Sequence, residues 1–411
     1  MKQRGTKGAR SQREAALAPG SRRAGAPHSY TYPRDPRHDT PAVVPGDEHS
    51  RPRPNRLTVK IGGEAGFGIA VSGLLLTKTL ARGGLSVFDY TEYPSLIRGG
   101  HNTFLLRVDE EKVHAPLGKI NVLVALNKAT VFLHEQELTN DGAVLYDSDE
   151  IVLTTGDLAR PSLRHYGVPL ESLALEAAGQ KLMRNTVALG ALLALCGYPL
   201  TLFEEVIEDV FGAKKKQAAI DANKAAAAAG YRYVVDTYPE QFSYSLAPRK
   251  KAPAQIAVTG SEALALGAAA AGCTFYSAYP MTPATPVMHY LAANQEALGM
   301  VVKHAEDEIA AINQAIGASF TGARSMTGSA GGGFALMVES LGLAAITETP
   351  LVIMEAMRPG PATGLPTWTD QGDLRFVLHS AQGEFPRVIL APGDVDEAFS
   401  MTAEAFNLAD V

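Results

Sequence analysis

Apolar and polar positions alternate clearly from residue 57 onward, and they predict two sets of strands and helices. Residues 57–63 (LTVKIGG) alternate in the manner of a half-buried strand, and a glycine-rich turn and an apolar helix follow them. Further strands are predicted at residues 85–90, 121–126 and 142–147, with helical stretches between them. This alternation predicts a first α/β domain, residues 57–235, with a wound, mainly parallel, Rossmann-like sheet.

The same alternation resumes at residue 256 and predicts a second α/β domain, residues 256–411, again with a mainly parallel sheet. Between the two domains, residues 236–255 mix prolines with a basic triplet and show no periodicity, which predicts a linker. Since no strand follows the last predicted strand and helix, we expect the second domain to be truncated at its C-terminus. Its predicted strands are IAVTG (256–260), CTFYSAY (273–279), VVKH (301–304), ARSMTG (323–328), LVIMEAM (351–357) and RVILAP (387–392).

The first 56 residues differ in composition from everything that follows. They hold twelve lysines and arginines, five acids and eight prolines, with almost no aliphatic side chains. Such a segment cannot bury enough apolar surface to offset the loss of chain entropy, so it is predicted to be a disordered basic lead. It could serve as a linker or as a nucleic-acid tail, and a misplaced start codon would also explain it.

Whole-chain composition excludes several classes of protein. A net charge of −6 provides no general attraction for nucleic acid or for an anionic membrane. The apolar stretch at residues 187–203 is interrupted by two glycines and a proline, so it is interpreted as core rather than as a membrane span. With only Cys196 and Cys273, the chain has no disulfide framework and no thiolate set for a metal centre, which favours a cytoplasmic protein.

Two glycine-containing segments of the first domain could meet an anion. Gly63, Gly66 and Gly68 lie where a strand turns into a helix, and free backbone N–H groups at such a helix N-terminus favour phosphate. The spacing is not that of a dinucleotide fingerprint, so a purely structural turn is an equal alternative. Residues 93–102 (YPSLIRGGHN) form a predicted loop with an arginine and a histidine, which could bind an anion, contact a partner or simply form surface structure.

In the second domain, candidate site residues follow predicted strands. The run YPMTP at residues 279–283 places Tyr279 and Pro280 directly after a strand, and prolines on both sides of Thr282 restrict its conformation. Ligands of open α/β sheets bind at this carboxyl edge. Arg358 likewise follows an apolar strand and precedes a stiff, proline-containing loop, where its guanidinium suits a carboxylate. A rigid helix-capping turn and a loop-stabilising arginine remain the alternatives.

An acidic triplet, residues 306–308, opens a predicted helix. At about 100° per residue, Glu308 lies within about 40° of Ile312 on the apolar face, whereas Glu306 points almost opposite. Only Glu308 is therefore expected to be buried. Burial of a carboxylate against apolar neighbours costs free energy unless the group is paired or is held for chemistry.

A third segment, residues 325–333 (SMTGSAGGG), joins a strand to a helix and leaves several backbone N–H groups free. Thr327, Gly328 and Ser329 could therefore surround a ring or an anion. Close packing between subunits is the alternative.

Together these segments resemble the 2-oxoacid:ferredoxin oxidoreductase family, over about residues 57–411. YPMTP resembles the YPITP motif of the alpha subunits, AEDEIAAI resembles their glutamate helix, and RPGPATGLPTWTDQGDL resembles their arginine loop. IGGEAGFG and EYPSLIRGGHN resemble the gamma part of these enzymes. The resemblance implies a gamma-type domain fused in front of an alpha-type domain that binds the pyrimidine of thiamine diphosphate.

The resemblance also implies roles for individual residues. Glu308 would bind the aminopyrimidine of thiamine diphosphate, and Thr282 and Arg358 would hold a 2-oxoacid. The implied reaction is oxidative decarboxylation, favouring 2-oxoglutarate, with acyl transfer to CoA and electrons passed to ferredoxin. The other implied cofactor-binding residues are Tyr279, Pro280, Thr327, Gly328, Ser329, Gly63, Gly66 and Gly68.

Some parts of such an enzyme are not visible in the sequence. There is no diphosphate and Mg²⁺ motif and no set of cluster cysteines, so the resemblance implies that a beta subunit supplies both, including the [4Fe–4S] cluster. Two alternatives remain open: a subunit of another thiamine-diphosphate enzyme, and a non-catalytic module whose glycine turn holds a nucleotide.

Overall fold

The computed structural model describes residues 53–94, 99–154, 160, 162–212, 217–240, 242–253 and 255–411. These residues belong to one compact unit, which contains two separate sheets. Residues 1–52 of the predicted basic lead and residues 95–98 of the predicted YPSLIRGGHN loop lie outside the described residues. The predictions made for those segments therefore stay predictions.

A six-stranded mixed sheet forms the first half of this structure. Its spatial order is β2-β3-β1-β4-β5-β6. β3 pairs antiparallel with both β1 and β2, while the other neighbours pair in parallel, so five of the six strands run in one direction. The strands are β1 (Leu57–Ala65), β2 (Ser86–Glu92), β3 (Gly99–Asp109), β4 (Ile120–Ala125), β5 (Leu138–Asp147) and β6 (Arg164–Val168).

The largest hydrophobic core lies between this sheet and its helices. Helix α4 (Arg184–Leu195) is buried over most of its length and packs closely against α6 (Gln217–Thr237). A Cβ at Gly190 of α4 would lie only 2.0 Å from the Ala227 carbonyl oxygen of α6, so glycine is what permits this close approach. Helix α4 covers much of the apolar stretch predicted as core, and no described helix is long and apolar enough to cross a membrane. The helices are α1 (Ile69–Arg82), α2 (Lys128–His134), α3 (Leu170–Ala178), α4 (Arg184–Leu195), α5 (Leu200–Gly212) and α6 (Gln217–Thr237).

The segment that follows α6 packs onto the first core. Phe242, Tyr244 and Leu246 are buried within that core, and the Leu246 N–H donates to the Cys196 carbonyl oxygen at 2.8 Å. The predicted linker therefore includes residues that stabilise the first half of the structure. Where one domain ends and the next begins remains a prediction.

A four-stranded parallel sheet forms the second half, in the order β10-β9-β7-β8. Its strands are β7 (Phe275–Ala278), β8 (Val301–His304), β9 (Ser325–Ser329) and β10 (Val352–Glu355). Its helices are α7 (Gly260–Ala270), α8 (Thr285–Leu298), α9 (Glu308–Phe320), α10 (Gly331–Ile346), α11 (Leu374–His379) and α12 (Val395–Ala409). Because the strands are parallel, the segments that follow β7, β9 and β10 emerge at the same edge of the sheet.

Three predictions of local structure are wrong. Residues 99–102, predicted as loop, belong to β3, because they continue the antiparallel pairing of this strand with β1, and the strand is anchored by consecutive buried side chains from Thr103 to Leu106. The segments IAVTG and RVILAP are not strands. Ile256 is 79% exposed and Val388 is 63% exposed, and neither segment pairs with a described strand.

Candidate functional site

Glu308 is the first residue of α9 and is almost completely buried. The Asp307 side chain caps the helix by accepting a hydrogen bond of 2.7 Å from the Ala310 N–H. Glu308 is 3% exposed, whereas Glu306 and Asp307 are exposed. The predicted burial of Glu308 alone is therefore confirmed, and it follows from helical periodicity, since Glu308 shares the buried face with Ile312.

One oxygen of the Glu308 carboxylate lacks a hydrogen-bond donor among the described residues. Its Oε1 is buried and receives no hydrogen bond from the part of the chain that the structure describes. It lies against α10, where a Cβ at Gly333 would be 2.6 Å from Glu308 Oε1 and 2.0 Å from Ser329 Oγ. Gly333 is thus the residue that leaves room for both side chains. An unpaired buried oxygen of this kind costs free energy unless a bound group supplies a donor.

The second sheet carries three buried hydroxyl groups without partners, and that of Ser329 lies beside the Glu308 carboxylate at Gly333. Glu308, Thr327 and Ser329 are called the Glu308 cluster here. Thr327 Oγ1 and Ser329 Oγ of β9 and the Tyr276 hydroxyl of β7 each lack a hydrogen-bond partner among the described residues. The Tyr276 hydroxyl would lie 2.9 Å from a Cβ at Gly328, so it faces the middle of β9. Burial raises the pKa of Tyr276. These hydroxyl groups are neutral donors and acceptors that a bound ligand could use.

Thr282 and Arg358, both predicted site residues, lie next to each other. Arg358 Nη1 donates a hydrogen bond of 2.6 Å to the Thr282 carbonyl oxygen. Arg358 is 7% exposed, its Nε is buried without an acceptor, and no described carboxylate forms an ion pair with it. A buried guanidinium with free N–H groups can bind an anion through charge-assisted hydrogen bonds.

Tyr279 and Pro280, which were predicted to bind a cofactor, lie at the surface of the same sheet edge. Tyr279 is 38% exposed, and its ring centroid is 6.3 Å from that of His304 on β8. Pro280 is half-buried. Their position at the edge makes them accessible to a bound molecule, while Glu308 and Ser329 lie deeper.

Gly63 lies on β1, Gly66 and Gly68 lie in the turn between β1 and α1, and the described neighbours of Gly63 and Gly68 belong to the first half of the chain. Gly68 is the N-cap of α1 with φ 71°, a left-handed conformation that suits glycine. Asn185 donates a hydrogen bond to the Phe67 carbonyl oxygen, and the Arg184 guanidinium stacks 4.2 Å from the Phe67 ring centroid. The turn is thus held by α4, and its contacts do not include the Glu308 cluster.

Sequence reasoning missed an acidic pair beside the Glu308 cluster. Glu355 ends β10, and the Asp373 carboxyl group lies within hydrogen-bonding reach of it. Desolvation, followed by the charge of Asp373, raises the pKa of Glu355 to about 8. An acid at the end of the apolar run LVIME was a visible signal, but its partner, 18 residues further along the chain, was not.

A second missed cluster lies on the first sheet. His101 Nε2 is 2.7 Å from His134 Nε2, and His134 Nδ1 is 2.6 Å from Glu137 Oε1, with Lys60 also bonded to Glu137. Both contacts are hydrogen bonds when the Nδ1–H of His134 donates to Glu137 and the Nε2–H of His101 donates to Nε2 of His134. His101 Nδ1 then keeps a lone pair, and it is buried without a partner. Burial, and then the proximity of His134 and Lys60, lower the pKa of His101 to about 4.

Two family models match the two halves of the chain. Residues 58–233 match the model described as pyruvate ferredoxin/flavodoxin oxidoreductase. Residues 266–411 match the model described as pyruvate flavodoxin/ferredoxin oxidoreductase, thiamine diphosphate-binding. The second match contains the Glu308 cluster and the pair formed by Thr282 and Arg358.

Curated relatives and a solved structure agree with these matches. The chain is 32% identical to a 2-oxoacid:ferredoxin oxidoreductase subunit alpha of Sulfolobus sp, over 86% of this chain and 62% of the relative. It is 30% identical to the 2-oxoglutarate oxidoreductase subunit KorA of Mycobacterium tuberculosis, over 87% of this chain and 59% of the relative. The 2-oxoglutarate:ferredoxin oxidoreductase of Magnetococcus marinus, solved with 2-oxoglutarate, coenzyme A and succinyl-CoA bound, is similar with a TM-score of 0.80.

That structural similarity extends over 86% of this chain and 61% of the Magnetococcus chain, at 33% sequence identity. The chain thus spans about three fifths of the length of the relatives it matches. It contains both matched family regions in the order in which the sequence motifs predicted them. Residues 58–233 and 266–411 therefore belong to the families of these two models, and the chain is similar to the alpha subunits of 2-oxoacid:ferredoxin oxidoreductases.

Proposed function

We propose that this chain is the alpha-type subunit, with a fused gamma-type domain, of a 2-oxoacid:ferredoxin oxidoreductase. The reaction would be the thiamine-diphosphate-dependent and CoA-dependent oxidative decarboxylation of a 2-oxoacid, with electrons passed to ferredoxin. The observation that carries the proposal is the buried, unpaired Oε1 of Glu308 beside Gly333. A carboxylate in that position needs a donor that the described chain does not supply.

The Glu308 pocket fits the aminopyrimidine end of thiamine diphosphate. A ring N–H would satisfy Glu308 Oε1, and the buried hydroxyl groups of Thr327 and Ser329 would accept or donate the remaining hydrogen bonds. Bound thiamine diphosphate supplies the nucleophilic carbon and the electron sink for decarboxylation. The part of Glu308 is to hold a proton on the pyrimidine and so tune the basicity of the neighbouring amino group.

Other residues would complete the cofactor site. Small residues of β9 allow close approach to the ring, the hydroxyls orient it, and the residues after β7 cover it from the edge of the sheet. In this proposal the cofactor-binding residues besides Glu308 are Tyr279, Pro280, Thr327, Gly328 and Ser329.

Arg358 and Thr282 are the proposed substrate-binding residues. Arg358 keeps an unpaired Nε in a buried position, where a substrate carboxylate would form a charge-assisted hydrogen bond. Its bond to the Thr282 carbonyl fixes the direction of the guanidinium. We favour 2-oxoglutarate as the substrate, because relatives with this substrate in their names match the chain.

The enzyme would require partners. We propose that a beta subunit binds the diphosphate and Mg²⁺ and carries the [4Fe–4S] cluster, since the two cysteines of this chain are buried and far too few for cluster ligation. Ferredoxin would accept the electrons and CoA would accept the acyl group. The complex would act in the cytoplasm.

The first half of the chain would act as the Rossmann-like gamma-type domain of this complex. Its glycine turn, with Gly63, Gly66 and Gly68, is proposed to bind an anionic part of a cofactor through backbone N–H groups at the N-terminus of α1. The second sheet would then contribute the reacting centre.

Co-expression with a beta-type subunit tests the proposed function. The purified complex should reduce a viologen dye when a 2-oxoacid, CoA and thiamine diphosphate are all present. A panel of 2-oxoglutarate, pyruvate and branched-chain 2-oxoacids then identifies the substrate, and we expect 2-oxoglutarate to give the highest kcat/KM. A complex that binds thiamine diphosphate but reduces no dye with any 2-oxoacid would contradict the proposal.

A further inference from the structure

The arginine loop, defined here as residues 358–373, lies directly on the three glycines at the start of α10, Gly331 to Gly333. A Cβ at Gly331 would be 2.4 Å from Asp373 Oδ2, and a Cβ at Gly332 would be 3.5 Å from the Ala362 carbonyl oxygen. Both ends of the loop therefore approach the backbone that also carries Gly333 and the Glu308 pocket. The position of the loop fixes the position of Arg358.

Glu355 ties this region to the sheet. It pairs with Ser329 in the register of β10 and β9, and the Ala356 N–H donates to the Ser329 carbonyl oxygen at 2.9 Å. The Glu355 side chain extends to Asp373 at the far end of the arginine loop. One acid thus belongs to the rigid sheet, and the other belongs to the loop.

The two acids have no other partners among the described residues. Both oxygens of Glu355, and Asp373 Oδ2, are buried without a hydrogen bond from any N–H or hydroxyl group there. Two ionised carboxylates in contact repel each other, whereas one shared proton turns the contact into an O–H···O hydrogen bond. The raised pKa of Glu355, about 8, agrees with a proton held at neutral pH.

The surroundings contain few other charges that could replace this proton. On α9, the buried acidic residue is Glu308, and its carboxylate lies against Gly333. Arg358, three residues after Glu355, is directed to the Thr282 carbonyl. On α11, Arg375 is exposed. None of these groups forms an ion pair with Glu355 or Asp373.

We infer that Glu355 and Asp373 form a proton-sharing carboxyl pair that fastens the arginine loop to the sheet and so positions Arg358. Loss of the shared proton leaves two buried negative charges in contact, which drives the arginine loop away from the start of α10. The fastening itself is a property of this chain. Its consequence for catalysis rests on the proposed function, because it acts through the position of Arg358.

The chain contains its own reporter for this loop. Trp368 is the single tryptophan in the sequence, and it lies within the arginine loop, five residues before Asp373. Its side chain is 43% exposed, and its backbone N–H donates to the Leu365 carbonyl oxygen at 3.1 Å. Movement of the arginine loop away from the start of α10 changes the surroundings of this indole, so tryptophan emission follows the loop without cofactor, substrate or partner.

The test is a pH titration of tryptophan emission in the full chain between pH 7 and 9, beyond the ordinary range of histidine titration. Wild-type emission should shift to longer wavelength in a one-proton transition with its midpoint near pH 8. Glu355→Gln keeps a hydrogen-bond donor at every pH, so its emission should stay at the low-pH position. Glu355→Ala should give the shifted emission at every pH.

Two outcomes overturn the inference: the absence of a transition in the wild type, and a Glu355→Gln transition identical to that of the wild type. Should Glu355→Ala fail to fold, Asp373→Asn replaces it as a second variant that supplies a donor, and its emission should also be independent of pH. In the active complex, the KM for the 2-oxoacid should rise above pH 8 in the wild type and stay level in Glu355→Gln. A complex without activity would count against the proposed function and leave the emission test unaffected.

Discussion

Arg358 Nη1 and the Thr282 carbonyl oxygen are joined by a hydrogen bond of 2.6 Å, although the two residues are 76 positions apart in the sequence. The bond connects the segment after β7 with the segment after β10 at one edge of the second sheet. Arg358 is buried with an unpaired Nε, so we expect it to bind the substrate carboxylate. Arg358→Ala should raise the KM for the 2-oxoacid about 10–100-fold, the effect of about 1.5–3 kcal/mol for a hydrogen bond to a charged group.

Steady-state kinetics of the complex with a viologen acceptor measure this effect. Arg358→Lys keeps the charge but loses the fork of donors, so it should recover only part of the affinity. Arg375→Ala, which removes an exposed arginine of α11, is the matched control and should leave KM unchanged. An Arg358→Ala enzyme with wild-type KM would remove Arg358 from the substrate site.

Gly333 keeps the Glu308 carboxylate and the Ser329 hydroxyl close together. Because a Cβ there would lie 2.0 Å from Ser329 Oγ and 2.6 Å from Glu308 Oε1, Gly333→Ala must displace both side chains. We expect kcat/KM to fall about 100-fold, since a misplacement of about 1 Å costs this much at a catalytic centre. The melting temperature of the variant shows whether the loss is confined to the site.

Gly342→Ala is the control for this substitution. Gly342 belongs to the same helix, and its Cβ would meet only the Gln382 side chain, at 3.9 Å. Alanine favours a helix interior over glycine by about 1 kcal/mol, so this variant should be active and at least as stable as the wild type. Equal activity of the Gly333 and Gly342 variants would contradict the described packing of the pocket.

The His101 and His134 cluster predicts a loss of stability in mild acid. The folded-state pKa of His101 is lowered to about 4 from an ordinary value of 6.5, so only the unfolded chain binds this proton between those pH values. The stabilisation is therefore complete above pH 6.5 and is lost as the pH falls towards 4. With allowance for solvent screening, we expect a loss of about 1 kcal/mol between pH 6.5 and 5.

Scanning calorimetry of the full chain at several pH values measures this dependence. His101→Gln cannot gain the proton and should show a weaker fall in melting temperature between pH 6.5 and 5. His289→Gln, at an exposed position of α8, should behave like the wild type. Identical pH profiles for the wild type and His101→Gln would show that this histidine does not control stability in acid.

The spacing of apolar residues along the sequence was sufficient to predict much of the second half of the structure. The burial of Glu308 follows from its angle to Ile312 around a helix, which is a local property of the chain. The residues around Thr282 and Arg358 were placed at a sheet edge because each follows an apolar strand. These relations need only short stretches of sequence and the general geometry of parallel sheets.

Relations between distant segments could not be predicted in this way. The contact of Glu355 with Asp373, and that of His101 with His134, depend on how separate elements pack. For β3, the pairing with β1 extends into a glycine-containing segment that resembles a loop in sequence. IAVTG and RVILAP have strand-like composition, but a strand also needs a hydrogen-bonding neighbour, and composition does not provide one.

The central claim is that Glu308 acts on the pyrimidine of thiamine diphosphate, and the turnover of a Glu308→Gln complex measures it most directly. Glutamine keeps the size of the side chain but cannot accept the proton, so kcat should fall about 10²–10⁴-fold. Glu306→Gln, an exposed neighbour two residues earlier, should retain wild-type turnover. A Glu308→Gln complex that turns over at the wild-type rate would contradict the account.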